Sequence, residues 1–139
     1  MDVDKLRKEL IRDEGDIPHA YQDSLGYWTI GIGHLIDKRK GGGLSEAARK
    51  FIFEEDLREK EADLDKALPW WRELSDARQR VLVNMCFNLG IGGLLGFKNT
   101  LAYIKAGDYE AAAKGMLNSK WATQVGDRAV RLSEMMRKG

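Results

Sequence analysis

The sequence predicts a mostly helical α+β fold, in which a long helix joins a small N-terminal lobe containing a β-hairpin or sheet to a helical C-terminal lobe. The chain has 139 residues, the length of one domain. It contains 43% hydrophobic and 32% charged residues with two prolines, which is typical of helix-rich globular proteins. Apolar residues recur at helical spacing along most of the chain. We expect lobes at about 13–60 and 67–139, with the first helix packed on the second lobe.

The N-terminal lobe is predicted from capping residues and a change in periodicity. Asp2 or Asp4 can cap a first helix. Gly15, which tolerates the left-handed conformation, should end this helix after Glu14. Between residues 19 and 34, aromatic and β-branched residues alternate around a turn. This segment predicts a small antiparallel hairpin or three-stranded sheet.

The later elements are predicted from caps and glycines. A polar loop at Lys38–Gly43 precedes a long helix that Ser45 can cap and that should run to about Lys66. Ser75 can cap another helix, which Gly90 should end. Shorter helices are predicted at about 97–105, 109–118 and 127–137.

Charge and apolar content exclude several classes of protein. Residues 1–70 carry 12 Lys or Arg against 16 Asp or Glu, and residues 71–139 carry 11 against 6, so the formal net charge is only +1. This modest asymmetry, without a recognisable motif, does not indicate nucleic-acid binding. No stretch has the length of a membrane span or the apolar core of a signal peptide, which predicts a soluble chain made in the cytoplasm without membrane insertion.

Metal and cofactor chemistry find no support in the motifs. The two histidines lie outside any HExxH run, and the glycine clusters lack the lysine of a phosphate-binding loop. Cys86 is the single cysteine and cannot form an internal disulfide. We therefore expect no metal and no cofactor.

Glu14 is the first candidate for catalysis. It continues the series Leu6, Leu10, Glu14 at four-residue intervals, which predicts a carboxyl group at the end of the buried face of the helix. A carboxyl group beside apolar walls has a raised pKa, as a general acid near neutral pH requires. The alternative is that Glu14 pairs with an arginine or turns outward at the helix end.

Asp23 and Thr29 could complete a site with Glu14. Aspartate at a tight turn commonly bonds its own backbone, so Asp23 gains meaning only beside a second carboxylate. Two carboxylates across a cleft can cleave a glycosidic bond, and the Thr29 hydroxyl, on the same hairpin, could position the attacking water. His34 lies beside glycines and is more often structural, and no credible serine or cysteine triad is present.

Three motifs follow one another in a specific order and spacing: Asp13-Glu14-Gly15, Tyr21-x-Asp23 and Gly26–His34. This arrangement resembles the active-site signature of the phage lysozymes of glycoside hydrolase family 24, the T-even type included. The resemblance covers nearly the whole chain, through Asn84-Met85-x-Phe87-Asn88-x-Gly90, Gly96-Phe97-x-Asn99-Thr100-Leu101, Ser119-Lys120-Trp121 and Arg128-Ala129-x-Arg131.

The resemblance implies a lysozyme-like fold that hydrolyses bacterial peptidoglycan at the β-1,4 bond between N-acetylmuramic acid and N-acetylglucosamine, with inversion. Glu14 would be the acid, Asp23 the second carboxylate and Thr29 the holder of the water. A phage enzyme of this type would be a monomer released from the host cytoplasm to the cell wall through a holin. Supporting roles are also implied: Leu35, Phe87 and Thr100 line the saccharide cleft, Arg128 approaches Glu14, and His34 pairs with Asp56.

One loop and two single positions depart from the family pattern. The loop Asp37–Ser45, with Gly41, Gly42 and Gly43, is shorter than in the T-even type. Gly115 stands where the family has a substrate-contacting asparagine, and Gly126 replaces a proline before Arg128. Cleft width and glycan preference are therefore open, and the C-terminal lobe should be less stable.

Three aromatics are predicted to belong to the core or the lobe interface and not to bind sugar: Trp70, Trp71 and Trp121.

Two alternative functions stay open. A lytic transglycosylase would use one acid/base group and leave anhydromuramic acid ends, but Asp23 and Thr29 argue against it. A non-catalytic cell-wall-binding protein or engineered scaffold would keep the fold without turnover, although the three signature residues are intact. The mass of the released products would distinguish a transglycosylase from a lysozyme. Glycan binding without lysis would indicate a non-catalytic protein.

Overall fold

The computed structural model describes residues 1–40 and 42–139, which form seven α-helices, one short 3-10 helix and one three-stranded antiparallel sheet. The prediction of a mostly helical α+β fold is confirmed. Gly41, in the predicted polar loop, lies outside the described residues. The chain divides into two compact units, Met1–Phe53 and Glu54–Gly139, and the boundary falls inside a long helix. The expected lobe limits stay a prediction.

The first unit begins with a helix whose two ends are fixed locally. The Asp2 carboxylate caps it by accepting a hydrogen bond from the Lys5 backbone N–H at 3.0 Å. Gly15 ends it with φ +80° and ψ 169°, a positive φ as expected, but outside the left-handed helical region. The elements of this unit are α1 (Val3–Glu14), β1 (Ile17–Gln22), β2 (Trp28–Gly31), β3 (His34–Leu35) and the first part of α2 (Glu46–Ala67).

The sheet has the order β1-β2-β3, with β2 in the centre. Tyr21 pairs with Thr29, and Thr29 pairs with Leu35. Because directly opposed residues point to the same face of a sheet, these three side chains share one face. The prediction of a small antiparallel sheet is confirmed, and its central strand carries the candidate threonine.

The second unit contains the remaining helices. Ser75 caps the helix Asp76–Leu95 by accepting a hydrogen bond from the Arg78 backbone N–H at 3.3 Å. Gly90 has φ +72° and interrupts the helical geometry as expected, but a helical segment follows it to Leu95. The sequence prediction did not include the short helix Lys120–Val125. The elements are the rest of α2, a 3-10 helix (Trp71–Glu73), α3 (Asp76–Leu95), α4 (Lys98–Ala106), α5 (Tyr109–Leu117), α6 (Lys120–Val125) and α7 (Asp127–Lys138).

The hydrophobic core lies in the second unit, where α3, α4, α5 and α7 pack together. Trp71 and Trp121 are buried, which confirms their predicted core role, whereas Trp70 is half-buried. The Trp121 indole N–H donates to Asn88 Oδ1 at 2.7 Å, and its ring meets Phe97 edge-on at 5.9 Å. Fully buried side chains that complete the core are Leu64, Val81, Leu82, Met85, Cys86, Leu94, Ile104, Met116 and Met136.

Arg78 joins three helices of this unit. Its guanidinium lies 3.3 Å from the centroid of the Tyr109 ring. It also donates to the backbone carbonyls of Met136 at 2.8 Å and Arg137 at 3.1 Å. The last carbonyls of a helix have no partner inside the helix, so Arg78 satisfies two of them on α7.

No single helix among the described residues is long and apolar enough to cross a membrane. The segments Asp76–Leu95 and Lys98–Ala106 reach that length and composition only together, across a bend of 104°.

Candidate active site

The Glu14 side chain packs against the backbone of Gly33. A Cβ atom on Gly33 would lie 3.0 Å from both Cγ and Oε2 of Glu14. Gly33 follows β2 in the turn to β3 and has φ +64°, a conformation that favours glycine. The end of α1 therefore brings the carboxyl group onto the sheet, and the missing side chain at position 33 leaves room for it.

The predicted buried face of α1 is not observed. This helix contains no buried residue; Leu6 and Leu10 are 36% and 40% exposed, and Glu14 is exposed. Because α1 is expected to pack on the second lobe, which belongs to the other unit, the expectation that Glu14 ends a buried stripe stays a prediction. Helical spacing aligns apolar side chains, but burial also needs a surface that covers them.

Asp23 organises the turn between β1 and β2. Its Oδ1 atom accepts hydrogen bonds from the backbone N–H groups of Leu25 at 2.9 Å and Tyr27 at 2.8 Å. Its own N–H donates to the Tyr27 carbonyl at 2.8 Å. Within residues 1–40 and 42–139, the second carboxylate oxygen, Oδ2, accepts no hydrogen bond. Asp23 is thus a turn residue with one carboxylate oxygen left for chemistry.

Thr29 is linked to Asp23 through a single residue. The Thr29 side chain is 6% exposed, and its hydroxyl donates to the Tyr27 carbonyl at 3.3 Å. The Tyr27 N–H donates to Asp23 Oδ1, so Tyr27 bonds to both candidate residues. The only proton of the hydroxyl is used in this way, which leaves its lone pairs to accept a hydrogen bond from water. The spacing of Asp23 and Thr29 did not predict this link through Tyr27.

The loop after the sheet is held by Asp37, a residue that sequence reasoning did not single out. Its carboxylate accepts hydrogen bonds from the Arg39 guanidinium at 3.0 and 3.3 Å, the Arg39 N–H at 2.8 Å and the Gly43 N–H at 2.9 Å. The side-chain bonds from Arg39, followed by the backbone bonds, hold the pKa of Asp37 well below its usual range. The short spacing Asp-x-Arg beside glycines was the available signal for this turn.

The supporting residues of the second unit have partners of their own. Arg128 donates to Asn84 Oδ1 at 2.8 and 2.9 Å and to its carbonyl at 3.3 Å. Thr100 is 5% exposed, and a Cβ on Gly115 would lie 2.6 Å from its Oγ1. Gly115 therefore leaves room for the threonine hydroxyl, and a larger residue there would require the Thr100 side chain to move. Phe87 is at the surface, 36% exposed.

Several predicted contacts stay predictions. Leu35 shares a sheet face with Thr29, and His34 pairs with Ile30 in the neighbouring strand. Roles that remain untested are the pairing of His34 with Asp56, the approach of Arg128 to Glu14, and the sugar contacts of Leu35, Phe87 and Thr100. Among the described residues, no group of three or more His, Cys, Asp or Glu side chains could hold a metal ion.

Comparison with known proteins identifies the class. The model of the phage lysozyme family matches residues 12–138 of this chain. A helix-rich α+β chain with a small three-stranded antiparallel sheet thus has a lysozyme-like fold. The chain belongs to the phage lysozyme family.

Individual relatives agree with this family assignment. The chain is 33% identical to the pre-baseplate central spike protein Gp5 of Enterobacteria phage T4, over 96% of this chain and 28% of that protein. It is 36% identical to the peptidoglycan hydrolase gp36 of Pseudomonas phage phiKMV, over 92% of this chain and 14% of that protein. It is 28% identical to the probable T4-type lysozyme 1 of Dictyostelium discoideum, over 99% and 96% of the two chains. The T4-type resemblance of the sequence is confirmed, and the chain spans less than a third of the two longer relatives.

Proposed function

We propose that this chain is a lysozyme that hydrolyses the β-1,4 bond between N-acetylmuramic acid and N-acetylglucosamine in bacterial peptidoglycan. One observation carries the assignment of its site: the Glu14 carboxyl group rests on Gly33, in the same small sheet unit that carries Asp23 and Thr29. The family match from residue 12 onward includes all three positions. The name of the phiKMV relative supports peptidoglycan as the substrate.

The hydrogen bonds of the turn suggest a division of roles. Glu14 donates its proton to the glycosidic oxygen as the bond to the anomeric carbon breaks. A water molecule donates one hydrogen bond to the Thr29 hydroxyl and loses its other proton to Asp23 Oδ2 as it attacks that carbon. Attack from the opposite face inverts the anomeric configuration, as in glycosidases whose carboxyl groups lie about 6.5–9.5 Å apart with water between them.

Because Glu14 is exposed, the bound substrate would have to shield it from water. Glu14 is an exposed residue in the structure, whereas a general acid works best when water is excluded from its carboxyl group. We infer that the bound glycan supplies this cover, because a sugar ring over Gly33 would displace water from the carboxyl group. The acid would then be assembled by the substrate and not by the free protein.

The first experiment compares the wild-type protein with Glu14→Gln on purified peptidoglycan. Circular dichroism establishes that both are folded, and mass spectrometry identifies the released ends. We expect reducing muramic acid ends from the wild type and a loss of about 10²–10⁴-fold in the variant, as for a general acid. Anhydro ends would assign a transglycosylase, and equal rates in both proteins would remove Glu14 from the mechanism. Glycan binding without cleavage would indicate a binding protein.

Localisation and release rest on the resemblance alone. A monomer made in the host cytoplasm and released through a holin is the expectation for a phage enzyme of this type. Expression in a bacterial cytoplasm should then cause lysis only when a holin is co-expressed. Equal lysis without the holin would contradict this expectation, and sedimentation would test the monomeric state.

A further inference from the structure

A lysine of the loop after β3 lies over the Asp23 turn. Lys40 Nζ and Cε each lie 3.8 Å from the position that a Cβ on Gly26 would take. The same Nζ lies 5.5 Å from the centroid of the Tyr27 ring. Gly26 and Tyr27 both hydrogen-bond to Asp23 within the turn. An ammonium group is therefore held beside the turn that presents the second carboxylate.

The loop pairs one of its cations internally. Asp37 accepts hydrogen bonds from the backbone and the guanidinium of Arg39, so the charge of Arg39 is paired inside the loop. Its bond from the Gly43 N–H ties the far side of the loop to the same carboxylate. Lys40 follows Arg39 directly and is directed over the Tyr27 ring.

The charge of Lys40 is not neutralised by this contact. Among residues 1–40 and 42–139, Lys40 forms no ion pair, and its side chain is exposed. An aromatic ring holds a cation in place without compensating its charge as a carboxylate would. The position is thus complementary to an anionic group that arrives from solvent beside Asp23.

We propose that Lys40 binds a carboxylate of the substrate, so that the enzyme prefers peptidoglycan strands whose peptide stems carry free carboxylates. This inference rests on the proposed function, because it identifies the anion as part of the glycan substrate. Lys40 would be a specificity residue that contacts the substrate outside the reacting bond. Its contribution would appear in binding and would weaken at high salt.

The test uses one peptidoglycan fragment of two linked disaccharide–peptide units, which contains the bond to be cleaved, in two forms, with its carboxylates free or converted to amides. The protein variants are Lys40→Gln, the charge-retaining Lys40→Arg, and Lys38→Gln as a control that removes the same charge from the same loop. The ratio of kcat/KM for the free form to that for the amidated form is measured for each protein. Both KM and kcat are recorded, together with the salt dependence of the ratio.

We expect the wild type to prefer the free carboxylates by about two- to fivefold, the range of an exposed ion pair. Lys40→Gln should bring the ratio close to one, mainly through KM. Lys40→Arg and Lys38→Gln should keep the preference. The proposal is overturned if Lys40→Gln keeps the wild-type ratio, or if Lys38→Gln lowers the ratio equally, which would indicate a long-range effect of net charge.

Failure of the proposed function would be visible separately. In that case the wild type would cleave neither form of the fragment. Calorimetric binding of both forms to Glu14→Gln and to the double variant Glu14→Gln/Lys40→Gln still tests the contact without turnover. A preference for the free form in the first protein and its loss in the second would support the role of Lys40, and equal preference in both would refute it.

Discussion

At the scale of single residues, the candidate site depends on the absence of a side chain as much as on the carboxylates. Glu14 stands at an exposed helix end, where a glutamate side chain normally keeps most of its rotamer freedom. Its contact with the backbone of Gly33 limits that freedom. Since acid catalysis requires the proton donor within hydrogen-bond reach of the leaving oxygen, the placement of the carboxyl group should affect rate more than stability.

Gly33→Ala tests this placement, with Gly31→Ala as its matched control. Both glycines have nearly the same positive φ, +64° and +63°, so both substitutions impose a similar backbone cost of about 1–2 kcal/mol. Only the Cβ at position 33 meets Glu14; the one at position 31 has no atom within 4 Å. We expect similar losses of Tm, but a loss of roughly ten- to hundredfold in peptidoglycan cleavage for Gly33→Ala alone. Equal activity losses would show that the contact with Glu14 has no catalytic role.

At the scale of elements, the features that sequence reasoning predicted are those fixed by neighbouring residues. Asp2 and Ser75 cap their helices, and Gly15 ends the first one, because each acts on the adjacent turn. The burial of Leu6 and Leu10 could not be predicted from their spacing, since burial depends on a second surface. The helix at 120–125 was missed because six residues give too little periodicity to recognise.

The candidate site also combines residues that the sequence predicts with residues whose role appears only in the structure. The order of the motifs singled out Glu14, Asp23 and Thr29 as candidates, because a signature is local in sequence. Gly33 and Tyr27, which contact these residues, could not be singled out from the sequence. Their contribution comes from backbone geometry: one leaves space for a carboxyl group, and the other bonds to two residues of the turn. Such roles become visible only when the chain is folded.

The end of α2 is joined to the 3-10 helix by Asp65. Its Oδ1 atom accepts hydrogen bonds at 2.7 Å from the Trp71 indole N–H and from Arg72 Nε. The Arg72 guanidinium also stacks over the Trp71 ring at 4.6 Å. The side-chain bond from Arg72, followed by that from Trp71, holds the pKa of Asp65 below its usual value. This carboxylate thus orients a buried tryptophan from the protein surface.

The lowered pKa predicts how acid acts on this junction. A group whose pKa is lower in the folded state stabilises the fold above its unfolded pKa, and this stabilisation is lost as the pH falls through the folded pKa. The Tm difference between the wild type and Asp65→Asn should therefore be largest near neutral pH and shrink below about pH 4. The control is Asp63→Asn on the same helix, since Asp63 accepts no side-chain hydrogen bond within the described residues. A Tm difference for Asp65→Asn that stays constant from pH 7 to pH 2.5 would contradict the prediction.

At the scale of the whole molecule, the core and the candidate catalytic residues lie in different units. Every buried hydrophobic residue of the described chain lies between Leu64 and Met136, in the second unit. Within residues 1–40 and 42–53, Thr29 is the only buried residue. Because burial of apolar surface is the main stabilising contribution, the free energy of unfolding should come mainly from the second unit. The sheet that carries the candidate site should then open more easily than the helices.

Native-state hydrogen exchange tests this division of stability. We expect amides of α3 and α7 to exchange only through global unfolding, and amides of β1–β3 to exchange through local opening at lower free energy. Leu82→Ala, at a fully buried position of α3, should cost about 2–5 kcal/mol and reduce protection in α3 and α7 by that amount. Protection in the sheet should change little, because its opening does not expose the core. Leu117→Ala, at a position that is 46% exposed, should change the protection of the sheet amides and of the helix amides by less than about 0.5 kcal/mol. If Leu82→Ala lowered protection in the sheet and in the helices equally, the two units would unfold together. The stability of the sheet would then depend on the core of the second unit.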